Sequence, residues 1–135
     1  MPETTVPPRW SIAPDFIVDD VVATANYYRD QLGFAYERFW GEPPGFCMVQ
    51  RAGVTIMLSQ LCRTGVARPN RLADPGADDC WDAYVWVDDA DTLFAEFTTR
   101  GIKITRPICD QHYGCRDFDV EDLNGYRLCF GHTIG

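Results

Sequence analysis

The chain has 135 residues, 46% hydrophobic and 13% aromatic, with a formal net charge of −8 at pH 7 and a pI near 4.5. This length suits one compact domain over residues 1–135, and the acidic balance argues against nucleic-acid or anionic-membrane partners, whose phosphates need clustered cations. Lys103 is the sole lysine, so arginine carries nearly all the positive charge.

The opening segment "MPETTVPPRWS" is polar and proline-rich and lacks the apolar centre of a secretory leader. No apolar run approaches the ~20 residues of a membrane-spanning helix. Cys47, Cys62, Cys80, Cys109, Cys115 and Cys129 include no CxxC pair and read as reduced thiols, which points to a cytoplasmic protein. Cys115 and Cys129 are either buried and inert or the two candidates for a reactive thiol.

"APDFIV" predicts a strand ending at Val18, followed by a helix capped by Asp19 or Asp20. Val21, Ala25, Tyr28 and Leu32 recur at helical spacing, and Gly33 supplies a left-handed stop. "FAYERFW" and "GFCMVQ" predict two strands around the turn "GEPPG", and "GVTIMLSQL" a fourth strand. Residues 62–80, with two prolines, two glycines and three arginines, show no apolar period and read as a linker. The pattern then restarts. "WDAYVWV" is a strand, Asp88 or Asp89 a cap, and Ala90, Leu93, Phe94 and Phe97 a helical stripe ending at Gly101. "IKITRP" is a strand, and "GCRDFDVED" and "YRLCFGH" flank the turn "DLNG".

The order is therefore βαβββ, linker, βαβββ, with modules at 13–61 and 81–132. The halves also place a glycine five residues before an apolar strand end, Gly53 before Leu58 and Gly125 before Phe130. One such module cannot bury both faces of its small sheet, whereas a pair can curve around a cleft suited to a ligand. The pair can belong to one chain or to two swapped chains.

"YYRDQLGF" and "YGCRDFDVEDLNGYRLCFGH", set in this repeat, resemble the glyoxalase/bleomycin-resistance/extradiol dioxygenase superfamily, also called vicinal oxygen chelate, over roughly residues 12–132. "AYVWVDDADTLFAEF" looks most like the bleomycin-resistance proteins. The resemblance implies an α+β fold of two tandem βαβββ modules with curved mixed sheets around a cleft. In most enzymes of the family, a divalent metal sits in that cleft on ligands from the first and last strand of each module.

Strand parity puts Phe16 and Val18 on the helix side and Ala13, Asp15 and Ile17 on the cleft side. By the same rule Asp82, Tyr84 and Trp86 face the cleft, as do Met57 and Cys129. The positions matching the family's metal ligands are then Ala13, Met57, Asp82 and Cys129, which offer too few donors for a divalent ion. His112 and His132 read as surface or capping residues. No catalytic residue, metal ligand or cofactor is expected.

The candidate ligand-binding residues are Met57, Asp82, Tyr84, Trp86 and Cys129 on the walls. Phe39, Trp40 and Phe46 close one end, with Tyr113 near the other. Phe39 and Phe46 are alternatively core residues, and Asp82 can instead cap a turn or pair with Arg127. Flat aromatics stack on planar ligands and carboxylates attract cations. The resemblance then implies a homodimer that sequesters an aromatic, cationic small molecule such as bleomycin; the linker arginines argue against a strongly cationic one. A lyase or dioxygenase with an atypical metal site is the alternative. A module used only for dimerisation is the third reading, marked by Trp86 and Tyr84 packed on each other.

Overall fold

A computed structural model describes residues 9–62, 65–76 and 80–135. Buried residues alternate with exposed ones in β1 (Asp15–Val18), where Phe16 and Val18 are buried and Asp15 and Ile17 are exposed. Asp20 then caps α1 (Val21–Asp30), its carboxylate accepting from the Ala23 amide at 3.0 Å. Strands β2 (Phe39–Trp40), β3 (Phe46–Arg51) and β4 (Val54–Gln60) complete the first half. The second half repeats the order with β5 (Ala83–Trp86), α2 (Ala90–Thr99), β6 (Ile104–Asp110), β7 (Cys115–Glu121) and β8 (Arg127–Thr133).

The two four-stranded sheets have the orders β1-β4-β3-β2 and β5-β8-β7-β6. In each, the first strand runs parallel to the last, and the other pairings are antiparallel. The repeat holds down to register, with Asp15 opposite Met57 and Tyr84 opposite Cys129. It also extends to the caps. Gln60 at the end of β4 accepts from the first helical amide of α1, Val21, at 2.8 Å, and His132 in β8 does the same for Ala90 of α2 through Nδ1 at 3.0 Å. His132 is thus a capping residue. Both helices turn out through a left-handed glycine, Gly33 (φ 74°) and Gly101 (φ 72°).

Three elements differ from the sequence reading. The strand expected over "FAYERFW" is only Phe39–Trp40, with a lone bridge from Ala35 to Gln50. The sixth strand runs on to Asp110, and its register against β7 shifts on either side of Arg106. Pro107 has no N–H to donate to a ladder, which an edge strand tolerates. The linker is not featureless where described: Asn70–Leu72 forms one 3-10 turn. The Asn70 amide donates to Asp82 at 2.7 Å, and Arg71 donates to the Gly125 carbonyl at 3.2 Å and lies 3.4 Å from Glu121. Arg63 and most of the opening segment lie outside the described residues.

One contiguous core joins the halves, drawing on Val18, Tyr28 and Leu58 from the first and Phe97, Phe118 and Leu128 from the second. The Phe16 and Tyr126 rings stack across the junction at 4.4 Å and 8°. Tyr28 donates to Asp122 at 2.6 Å, Asn124 donates to Thr24 at 2.9 Å, and Arg51 forms an ion pair with Glu96 at 2.8 Å. Among the described residues, each hydrogen bond, ion pair and ring contact between the two βαβββ halves is made on this helix side. The opposite faces, which carry Met57 and Trp86, make no such contact with each other.

Candidate ligand-binding site

The concave face of the second sheet is built from alternate residues of its strands. Asp117 and Asp119 of β7 project there because Phe118 and Val120, which alternate with them, go to the core. Asp117 is fully buried and accepts from Tyr84 Oη at 2.9 Å, Tyr113 Oη at 2.6 Å and the Arg106 guanidinium at 2.9 Å. Asp119 takes two further bonds from Arg106, at 2.9 and 3.0 Å. The planar fork thus bridges two carboxylates at once and offsets one of their two formal charges. Gly131 makes this packing possible, since a Cβ there would overlap the Tyr84 hydroxyl. Burial, and after it the Asp117 carboxylate, push the Tyr84 phenol well above its ordinary pKa, so it stays a donor.

Above this layer runs a chain of rings. Trp81 lies edge-on to Tyr84 at 5.2 Å, Tyr84 meets Trp86 at 4.6 Å and 48°, and Trp81 meets Tyr113 at 6.2 Å. Arg106 sits 5.7 Å from the Trp81 ring centre. Trp86 is 62% exposed despite its contact with Tyr84, because β5 is an edge strand and, among the described residues, nothing covers the indole. A groove of ≈ 480 Å³ runs beside that edge, lined by Ala13, Thr55, Tyr84 and Trp86 among others.

The first sheet carries a second, smaller cluster. Trp40 pairs with Phe46 at 5.5 Å, and Arg38 lies 4.6 Å over the indole. Met57, opposite Met48, shares their face of the sheet. Phe39 does not. It points the other way and packs on Tyr36 at 5.0 Å against the core, as alternation from Trp40 requires.

Of the nine sequence candidates, Tyr84, Trp86, Tyr113 and Cys129 therefore converge on one face, and Trp40, Phe46 and Met57 on another. Asp82 stands apart. One carboxylate oxygen accepts from the Asn70 amide and the other from the Arg127 amide, at 2.7 and 2.8 Å, so it anchors the linker to β8. The sequence reading missed Trp81, Arg106, Asp117 and Asp119. The alternation in "CRDFDVE" marks the two carboxylates, but the register shifts around Arg106 hide its direction.

The family model of the glyoxalase/bleomycin resistance protein/dioxygenase superfamily matches residues 12–130. The chain belongs to this superfamily. Solved structures with the superfamily fold align over nearly the whole chain. TioX from Micromonospora sp. ML1 is 20% identical, covering 93% of this chain and all of its own, with a TM-score of 0.71. The bleomycin-binding protein of Streptomyces verticillus, complexed with copper(II)-bleomycin, is 24% identical over 96% of this chain and 99% of its own, with a TM-score of 0.64. A glyoxalase-related enzyme from Clostridium phytofermentans is 15% identical over 94% and 97%, with a TM-score of 0.72. No curated protein sequence matches the chain.

The superfamily's metal positions do not fit a divalent ion in this chain. Ala13 has no donor and Met57 offers only a thioether. Both oxygens of Asp82 are taken by backbone amides. Cys129 is buried beneath Arg106, 3.6 Å from the guanidinium, and burial followed by the Asp119 charge pushes its thiol far above the ordinary range. A protonated thiol is a poor ligand and a poor nucleophile. Among the described residues, no three His, Cys, Asp or Glu side chains come together to hold a metal. Among the described residues, no helix is long and apolar enough to cross a membrane.

Proposed function

We propose that this superfamily member binds and sequesters a flat aromatic small molecule without a metal. The carboxylates, phenols and guanidinium of the concave face already bond to one another, so the face offers stacking surface rather than acid–base machinery. The observation that carries the reading is the Trp86 ring, exposed beside Tyr84 at the rim of a groove. Arg106 bonds to both Asp117 and Asp119 and offsets one of their two formal charges, so ring contacts, the remaining charge and the general acidity of the chain attract a cationic ligand. The first-sheet cluster of Trp40, Phe46 and Met57 makes no contact with Trp86 inside one chain. A homodimer that sets the first sheet of one copy against the second sheet of the other closes the cleft.

The contact between Tyr84 and Trp86 also fits a module used only for dimerisation, and binding separates the two readings. Tryptophan fluorescence is titrated with bleomycin and a panel of planar heteroaromatics. A saturating ligand is expected, with affinity at least about tenfold lower in Trp86→Ala, a typical loss for an aromatic binding contact. Because Trp86 is mostly exposed, its melting temperature should stay within about 2 °C of wild type. If no planar ligand quenches the wild type, the binding proposal fails. A stoichiometric divalent metal in the purified protein would instead favour a lyase or dioxygenase.

A further inference from the structure

The two halves meet along two seams related by the internal repeat, and the seams are filled differently. Asp20 corresponds to Asp89 as helix cap, and Gly53 to Gly125 in the last hairpin turn. Phe16 then corresponds to Val85, Ile17 to Trp86, Asp19 to Asp88, Asn124 to Ala52 and Tyr126 to Val54. At the first seam the turn before β8 is packed tightly on β1 and α1. Tyr126 stacks on Phe16, and its hydroxyl donates to the Ile17 carbonyl at 2.5 Å. Asn124 accepts from the Asp19 amide at 3.2 Å and donates to Thr24 at 2.9 Å.

At the second seam the same places hold Val54, Val85 and Ala52, so two rings and an amide are missing. An open-sided cavity of ≈ 430 Å³ lies there, lined by these three together with Leu93, Phe97 and Phe130, and the Arg51–Glu96 ion pair borders it. Two polar groups are left over in the same places. The Gly131 carbonyl bonds to the Val87 amide, so the Trp86 carbonyl between Val85 and Val87 points off the free edge of β5. Among the described residues nothing donates to it, and nothing accepts from the Asp88 amide. The volume exceeds the ~150 Å³ that takes a benzene ring and lies in the range of about 300–1,000 Å³ usual for small-ligand pockets.

We propose that this cavity is a second binding site, for a small monocyclic phenol that takes the place Tyr126 holds at the other seam. Its ring lies between Val54, Val85 and Phe97, and its hydroxyl donates to the Trp86 carbonyl. The site is on the helix side of the sheets and shares Val54, Val85 and Trp86 with the groove beside the edge of β5.

The test is a calorimetric titration of the whole chain with p-cresol and with toluene. Saturable one-to-one binding of p-cresol is expected, about fivefold tighter than toluene, as one neutral hydrogen bond provides. Val54→Tyr supplies the missing side chain and should abolish p-cresol binding. If that variant does not fold, Val85→Phe fills the same space and is read the same way. Trp40→Ala should keep p-cresol binding while weakening any concave-face ligand, so the two proposals can fail separately. The inference is overturned by three results: no saturable p-cresol binding at millimolar concentration, whether because the cavity is filled by another part of the chain or by a second copy; equal affinity for toluene and p-cresol; or undiminished binding in the filled variants.

Discussion

Arg106 sets the character of the concave face. Its side chain is 20% exposed, and the carboxylates it serves, Asp117 and Asp119, are 0% and 1% exposed. Removing one partner from such a buried set leaves uncompensated charge and typically costs about 3–5 kcal/mol. Arg106→Ala should therefore lower the unfolding free energy by about 3 kcal/mol in urea denaturation, the lower end because water reaches the guanidinium. Adding Asp119→Asn to that variant should recover part of the loss. Equal stability of Arg106→Ala and wild type would show that the network does not hold the face together. This residue was poorly legible in advance. Asp117 and Asp119 follow from strict alternation with Phe118 and Val120, but Arg106 sits between two register shifts, where parity no longer says which way a side chain points.

The elements were easier to read, because each carries its own start and stop. Asp20 and Asp89 cap their helices, and Gly33 and Gly101 end them. What joins α1 to the turn before β8 is less obvious. Asp122 sits there, accepting from Tyr28 Oη at 2.6 Å and from the Asn124 and Tyr126 amides at 2.9 Å each. Burial pushes its carboxyl up to about 6 despite these bonds. A raised acid holds its proton more tightly folded than unfolded. Its contribution to stability is therefore fully present below the unfolded value of about 4 and is lost as pH rises through about 6. Asn keeps an acceptor for the two amides and a polar partner for Tyr28, with no charge to bury. Comparing wild type with Asp122→Asn in urea, the variant should gain on wild type by about 2–3 kcal/mol between pH 4 and pH 7. A pH-independent difference would mean that Asp122 ionises in the fold as freely as in the unfolded chain.

At the scale of the whole molecule, the proposed homodimer is what would bring together two aromatic clusters that do not meet within a chain. If cluster pairing between copies builds each cleft, mixing Trp40→Ala with Trp86→Ala protein produces heterodimers in which one cleft has both tryptophans. Neither variant alone should bind the planar ligand strongly, and the exchanged mixture should recover about a quarter of the wild-type sites, as random pairing of a twofold dimer requires. A mixture that recovers no site would place both walls of each cleft in a single chain, or leave Trp40 out of it.

Alternating apolar residues, two acidic caps, two glycine stops and a repeated glycine-to-apolar spacing determined a duplicated βαβββ chain and which side of β1, β4, β5 and β8 faces a helix. These are local properties, since backbone period and side-chain size act within a few residues. Contacts between residues far apart in sequence decided the rest: that Asp82 ties down the linker, that Arg106 bridges two carboxylates, and that one seam is filled by Phe16 and Tyr126 while its counterpart stays open. No local pattern encodes them, because each depends on which free edge, turn or bulge folding brings opposite.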